Sequence, residues 1–323
     1  NGVEFGGLVN SNLGSVTGAQ FAGIANVNMK ETNGILFAGI ANVIKDSSNS
    51  VCFAGISNVI GKNALGMHFA GVSNTVNGQY IGSQFAGISN AVNGNVLGAQ
   101  VAGISNISNG DFTGLQLSGI SNIAIGDVTG AQMGLINTAK NVTGFQLGLI
   151  NVAESFEKGV PLGLISFVKD GFHAIEVSGG ESIYGNLSLK MGVDKLYTIY
   201  RLGYAANNSE NYLTYGMGLG SMVDLTEKAK ISLDLSANHI IQSSNSPRLN
   251  LLARADVAFR YHLNDHIGFF GGPSFNVYIS EYSVDSENTA LSIPYSLYEE
   301  NWWNNDGSTS IWIGANAGVS IMF

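Results

Sequence analysis

Residues 37–58 read FAGIANVIKDSSNSVCFAGISN, and the motif at Phe37–Asn42 returns sixteen residues later at Phe53–Asn58. Reading outward in both directions finds the same core again. It stands as FGGLVN at Phe5–Asn10, FAGIAN at Phe21–Asn26, FAGVSN at Phe69–Asn74 and FAGISN at Phe85–Asn90, then VAGISN at Val101–Asn106 and LSGISN at Leu117–Asn122. A unit this short cannot enclose a core of its own and has to stack on its neighbours. Two or three short strands joined by tight arcs fill sixteen residues, so a β-solenoid is expected over residues 1–166. Glycine recurs three residues before most of the cores (Gly18, Gly34, Gly66, Gly82, Gly98, Gly114, Gly130). That fits a corner needing positive φ or a close backbone approach. Asparagine closes each core, where stacked amides can bond side chain to side chain along the axis. Glutamine often precedes the core (Gln20, Gln84, Gln100, Gln116, Gln132, Gln146). The chain is expected to bend at the Ala-Gly pair inside the core, because the aromatic and the isoleucine lie three residues apart. Which of the two apolar residues after the asparagine points inward is not decided by the pattern.

Past Leu117 the core becomes MGLIN at Met133–Asn137, LGLIN at Leu147–Asn151 and LGLIS at Leu162–Ser166, and the spacing shrinks to 14 and 15. Atypical terminal repeats of this kind mark a transition. The unit resembles that of bacterial surface-repeat proteins of the outer membrane, a likeness that spans residues 5–166 and implies location rather than chemistry.

The composition narrows the function. Glycine is abundant (43 of 323 residues), proline scarce (4), and only 11% of residues are charged. Without a Gly-X-Y period or proline this is neither collagen nor a disordered Pro/Gly-rich chain. Residues 1–150 hold four lysines (Lys30, Lys45, Lys62, Lys140) and five acids (Glu4, Glu31, Asp46, Asp111, Asp127). Such low charge suits a flat, neutral polar contact face. No basic cluster exists that could neutralise phosphates, so nucleic acid is not an expected partner. Cys52 is the only cysteine and occupies the glutamine column, as does His68; both read as neutral replacements. The threonine row that could form an ice-binding array (Thr17, Thr113, Thr129, Thr143) is interrupted by Leu65, Ile81 and Leu97. No zinc spacing, phosphate loop or calcium nonapeptide appears, and no metal site, cofactor or catalytic residue is expected. The chain begins at Asn1 rather than Met, which fits either a removed signal peptide or a start inside a longer protein.

Over residues 167–323 the period becomes two. In TSIWIGANAGVSIMF (309–323) one face is Ile311, Ile313, Ala315, Ala317, Val319, Ile321 and Phe323, and the other is glycine-rich and polar. Residues 248–261 alternate in the same way. Alternation alone fits a soluble sandwich or a membrane barrel. Length favours the barrel, since most strands run to ten residues or more, enough for a tilted span. The final strand, ending in the aromatic Phe323, resembles that of bacterial outer-membrane β-barrels. That resemblance implies an eight-stranded antiparallel transmembrane barrel over 167–323, with strands near 172–179, 183–192, 195–206, 211–224, 229–241, 248–262, 266–280 and 309–323. Short polar turns at 193–194, 226–228 and 263–265 would then be periplasmic, and the longer connections at 207–210, 242–247 and 281–308 would face outward. An even strand count places the solenoid in the periplasm; an odd one would place it on the cell surface.

Two groups of residues stand out. Glu176, Lys190, Arg201, Asp234, Arg254, Asp256 and Arg260 fall on the lumen side of the alternation. Eight strands leave only enough interior for side chains to fill, so an internal salt-bridge network is expected. Segment 281–308 carries Tyr295, Tyr298, Glu299, Glu300, Trp302 and Trp303, aromatics beside carboxylates that would suit a sugar or a cation, although interfacial aromatics with solvated acids are the plainer reading. The expected function is a non-catalytic outer-membrane protein whose barrel anchors a repeat scaffold, with outer-membrane lipid and other envelope proteins as partners. Two alternatives are a lipid-modifying enzyme using His239 with Ser243 and Ser244, and a small pore.

Overall fold

The computed structural model describes residues 2–207, 210–241, 249–281, 291, 293, 295–302 and 307–323. The described residues are all-β, and the chain forms two compact units, Asn1–Asp170 and Gly171–Phe323.

The first unit is a parallel β-solenoid of two eleven-stranded sheets. Each full coil gives a seven-residue strand, such as Val96–Ala102, and a four-residue strand, such as Ser105–Ser108. Bends at the Gly-Ile pair and at the residues after the short strand join them. Identical positions pair from coil to coil: Gln84 with Gln100, Phe69 with Phe85, Asn74 with Asn90. The shorter spacings past Leu117 keep this register, Gly130 facing Gly144. A bulge between Val142 and Thr143 absorbs the extra residue of the last coil. The recurrent glycines lie within the long strands, not at a corner. Gly98 has φ +141°, and a Cβ there would sit 1.9 Å from the carbonyl oxygen of Gly82. The glycine column therefore marks close approach of successive coils as well as positive φ.

The coil is inverted relative to a typical globular core. Asparagine and glutamine point inward and are wholly buried, while the phenylalanines point outward and stack face to face at 4.7–5.2 Å from Phe5 to Phe85. Burying an amide is costly unless it is bonded, and the asparagine column is bonded throughout, whereas the glutamine ladder leaves Gln84 Nε2 and Gln146 Oε1 without partners. Asn58 Nδ2 donates to Asn74 Oδ1 at 2.8 Å and to the Phe69 carbonyl at 2.9 Å, and its neighbours repeat the pattern. Gln116 Nε2 donates to Gln100 Oε1 at 2.9 Å, and Gln132 Nε2 to Gln116 Oε1 at 2.7 Å. An apolar column completes the interior, in which the second residue after each asparagine (Ile44, Ile60, Val76, Val92) packs with the first inward residue of the long strand (Ala64, Tyr80, Val96, Phe112). The neutral polar surface read from the low charge is thus not what the solenoid presents. Its amides are inside, and the outward rows are apolar (Ile88, Leu97, Ile104 and Ile120 are all exposed).

Leu36, Cys52 and His68 interrupt the glutamine ladder. Burial pushes the Cys52 thiol up to about 11, so it stays protonated. Both ring nitrogens of His68 and the Nε2 of Gln84 lack partners, and burial pushes the imidazole down to about 4. Because the folded-state value lies below the unfolded one, the unfolded chain binds the extra proton. Stability is then full above about pH 6.5 and falls as pH drops towards 4, by about 1.4 kcal/mol per unit. His68→Gln would give Gln84 Nε2 an acceptor and remove that proton. Urea midpoints of the variant and the parent, compared at pH 7 and pH 4.5, should diverge by about 2 kcal/mol more at the lower pH. Equal divergence at both would show that His68 does not titrate out of register with folding.

The second unit is a closed antiparallel barrel of eight strands: Phe172–Gly180, Gly185–Val193, Leu196–Asn207, Glu210–Asp224, Ala229–Ile241, Asn250–His262, Ile267–Ser280 and Ser308–Met322. The first pairs with the last, Val177 facing Val319, which closes the sheet. A ninth, four-residue strand, Tyr298–Asn301, adds to the free edge of the last one, Tyr298 facing Ile311; alternation gave no sign of it. Facing is again polar inward and apolar outward. Val177, Leu187, Leu202, Leu213, Leu235 and Phe259 are exposed on the outside, while the charged and amide side chains of the same strands are buried.

Candidate functional site in the barrel interior

The barrel interior is layered. Near the short turns lies an apolar layer of Phe172, Ala174, Tyr197, Ile199 and Met222. Towards the long connections lies another, including Ile183, Tyr212, Ile240, Leu252, Tyr278 and Trp312. Between them sit all seven charged residues that alternation assigns to the lumen, each almost fully buried.

These seven form two clusters. In the first, Lys190 Nζ lies 2.8 Å from Glu176 Oε2 and 2.5 Å from Asp234 Oδ2. Arg260 reaches across the barrel to Glu176 with Nη1 at 2.5 Å, and its Nη2 lies 3.6 Å from Asp234. Tyr197 OH donates to Asp234 Oδ1 at 2.5 Å, Arg260 Nε donates to Ser232 Oγ at 2.8 Å, and the Arg260 guanidinium lies 4.7 Å from the centre of the Phe270 ring. Two acids thus meet two bases in a fully bonded knot. In the second cluster Asp256 takes Arg254 at 2.9 Å and Arg201 at 3.3 Å, leaving one cation in excess.

The surplus is met by a residue the alternation misses. Glu181 lies in the connection after the first strand and folds over the strand Ser308–Met322. Its Oε1 accepts from Trp312 Nε1 and its Oε2 from the Ala315 amide, both at 2.9 Å, within electrostatic reach of Arg254. A Cβ at Gly314 would fall 1.7 Å from Glu181 Oε1, so this carboxylate needs that glycine. Among the described residues, and with Glu181 included, four acids face four bases. The inward glycines of the Glu210–Asp224 strand serve the same packing: a Cβ at Gly220 would lie 2.2 Å from the Tyr197 ring and 2.5 Å from Asp234 Oδ1.

The aromatic and acidic residues of the last connection are brought onto one short strand but not into a cavity. Tyr298, Glu299 and Glu300 pair with Ile311, Ser310 and Thr309. Tyr298 OH donates to the Glu300 carboxylate, Tyr295 OH to the Ile313 carbonyl, and Trp302 Nε1 to Thr309 Oγ1 at 3.1 Å. Tyr295, Tyr298 and Trp302 are exposed. Trp303 lies outside the described residues, as do Ser243 and Ser244. His239 packs edge-on against Tyr215, 5.5 Å between centroids, on the outer side of the barrel wall and so away from the charged layer. Among the described residues no three His, Cys, Asp or Glu side chains converge as a metal site would require. No family model, curated protein or solved structure matches the chain.

Proposed function

We propose that the barrel is a transmembrane anchor in the outer membrane of a bacterium, and that the solenoid is a non-catalytic scaffold which acts by binding other components of the envelope. The observation that carries this reading is the inversion of the barrel. In water, eight strands with an apolar outer face and an ion-paired interior would expose the wrong side; in hydrocarbon both faces are satisfied. Strand length supports it, since strands of 9 to 15 residues exceed the 9–11 or so that a tilted strand needs to cross. The two longest connections, 242–249 and 281–307, share the rim opposite the turns 194–195, 225–228 and 263–266, an asymmetry such barrels show, while 208–209 on that rim is as short as any turn, against the longer connection expected there. Eight strands put both barrel termini on the short-turn side, which favours a periplasmic solenoid.

The layered, charge-balanced interior favours an anchor over a pore, because a conducting path would have to displace both apolar layers. His239 facing outward beside an aromatic ring favours a place in an interfacial belt over acyl chemistry. The test uses an epitope tag inserted at Asn93–Gly94, in an exposed polar corner of the solenoid. The chain should resist extraction by alkaline carbonate, and the tag should be shielded from protease on intact cells until the outer membrane is opened. Extraction by carbonate would remove the anchor. Shaving of the tag from intact cells would move the scaffold to the cell surface.

A further inference from the structure

We infer that the solenoid itself is an amphipathic, lipid-binding element, its outward rows covered by acyl chains and its one charged corner lying among headgroups. This rests on the membrane reading of the barrel and adds a partner for the other unit. Every lysine, aspartate and glutamate between residues 5 and 155 falls in a single corner, the one following the short strand; Lys30, Lys62, Asp111, Asp127 and Lys140 are examples. The other sides of the coil carry none. The outer row of the long strands is a phenylalanine stack from Phe5 to Phe85, and with the Ala and Gly positions leading into the bend it lines an open groove of 860 Å³. The bend itself presents a second row, including Ile40, Ile56, Ile88 and Ile104, all exposed. The short strands present small and β-branched residues such as Val43, Val59 and Ile107.

Three features point to hydrocarbon rather than to a protein partner. The apolar surface wraps several sides of the prism, whereas a docked protein would cover one face. The amides of the coil's asparagine and glutamine columns are turned inward and bonded in ladders, the outward polar side chains are chiefly hydroxyls such as Ser89, Thr113 and Thr129 with the amide of Asn49, and the strand backbones are paired from coil to coil, which is what a segment in contact with acyl chains needs. Segregation of the charges to one edge is the pattern of elements that lie in a membrane interface. The corner carries nearly equal numbers of bases and acids, so lipid binding should depend on apolar burial and be insensitive to salt.

The full chain would be reconstituted in phosphatidylcholine vesicles doped with a lipid bearing a diazirine midway along its acyl chain, illuminated, and mapped by mass spectrometry. Adducts are expected on the solenoid rows containing Phe69, Ile88 and Leu97 as well as on outward barrel residues such as Leu202 and Leu235, and not on the corner at Asn93–Asn95. Labelled barrel strands beside an unlabelled solenoid would overturn this inference and leave the anchor standing. No label on either unit would overturn both. A solenoid unlabelled because it pairs with a second copy, seen as a dimer by mass in the same vesicles, would also overturn it. The double variant Ile88→Lys with Ile104→Lys alters exposed positions only. With circular dichroism unchanged, it should cut the solenoid adduct yield at least fivefold while the barrel yield stays constant; an unchanged solenoid yield would count against acyl contact.

Discussion

Asn90→Asp should destabilise the solenoid by on the order of 4 kcal/mol at pH 7. The Asn90 side chain is wholly buried. Its Nδ2 donates to the Val101 carbonyl and to Asn106 Oδ1, each at 2.9 Å, and its Oδ1 accepts from Asn74 Nδ2 at 2.9 Å. Aspartate keeps the acceptor and loses both donated bonds, and each buried group left unsatisfied costs about 1–3 kcal/mol. The new carboxylate also faces two oxygens, so its folded-state pKa must rise above its unfolded value near 3.9. The penalty is therefore largest at neutral pH, where the unfolded chain is ionised, and shrinks as pH falls and both states take up the proton. Asn93 supplies the control. It stands in an asparagine ladder of the same spacing, donating to Asn77 at 2.8 Å and accepting from Asn109 at 2.7 Å, but in the exposed corner. Water replaces what Asn93→Asp removes, and the cost should stay below about 1 kcal/mol. Urea unfolding followed by circular dichroism measures both. Equal costs would mean that the buried amides are not what holds the coils together.

The same contrast explains which parts of the fold were legible in the sequence. Stacking in register brings identical positions together, so the period of sixteen and the identity of each column survive as plain repetition, and Asn74 over Asn90 could be read directly. Facing could not be. The usual rule sends phenylalanine in and asparagine out, and this solenoid reverses it because a ladder of amides bonds fully along the axis. No single coil reveals that cooperation. The glycine column was read as a corner for a related reason: Gly98 and its equivalents are required by the approach of a neighbouring coil, which local sequence does not display. In the barrel, strict alternation placed strand ends to within a few residues and assigned Glu176, Lys190 and Arg260 to one side. It did not say which of them would meet, since Glu176 and Arg260 come from strands separated around the wall. Glu181 escaped because it sits in a connection, and its partners are the indole of Trp312 and a backbone amide, neither of which marks a charge partner in sequence. The strand Tyr298–Asn301 escaped because YEEN has no apolar alternation; it forms only because the last barrel strand offers an unpaired edge.

The interior knot makes the second large expectation. Asp234→Ala should cost about 3–5 kcal/mol, since it leaves Lys190 and Arg260 sharing Glu176 alone and strands an uncompensated cation between two apolar layers. Tyr197 OH would lose its acceptor at the same time. Salt should not rescue the variant, because ions do not reach charges buried this deeply. Removing the surplus charge should. In the double variant Asp234→Ala with Lys190→Met, the pair Glu176–Arg260 remains, joined through Nη1 at 2.5 Å and Nη2 at 3.4 Å, and the layer is neutral again. A methionine in place of the lysine stem keeps most of the apolar packing against Tyr197 and Phe270, beside which Lys190 Nζ now lies at 5.3 and 5.8 Å. The double variant should therefore recover more than half of the loss, a coupling that neither single substitution would display. Urea unfolding of the full chain in phosphatidylcholine vesicles, carried through the complete double-mutant cycle, measures it. Additive losses would show that the knot acts as separate hydrogen bonds. A positive coupling would show that charge balance inside the wall keeps an eight-stranded barrel closed when its core is made of ions rather than of hydrocarbon.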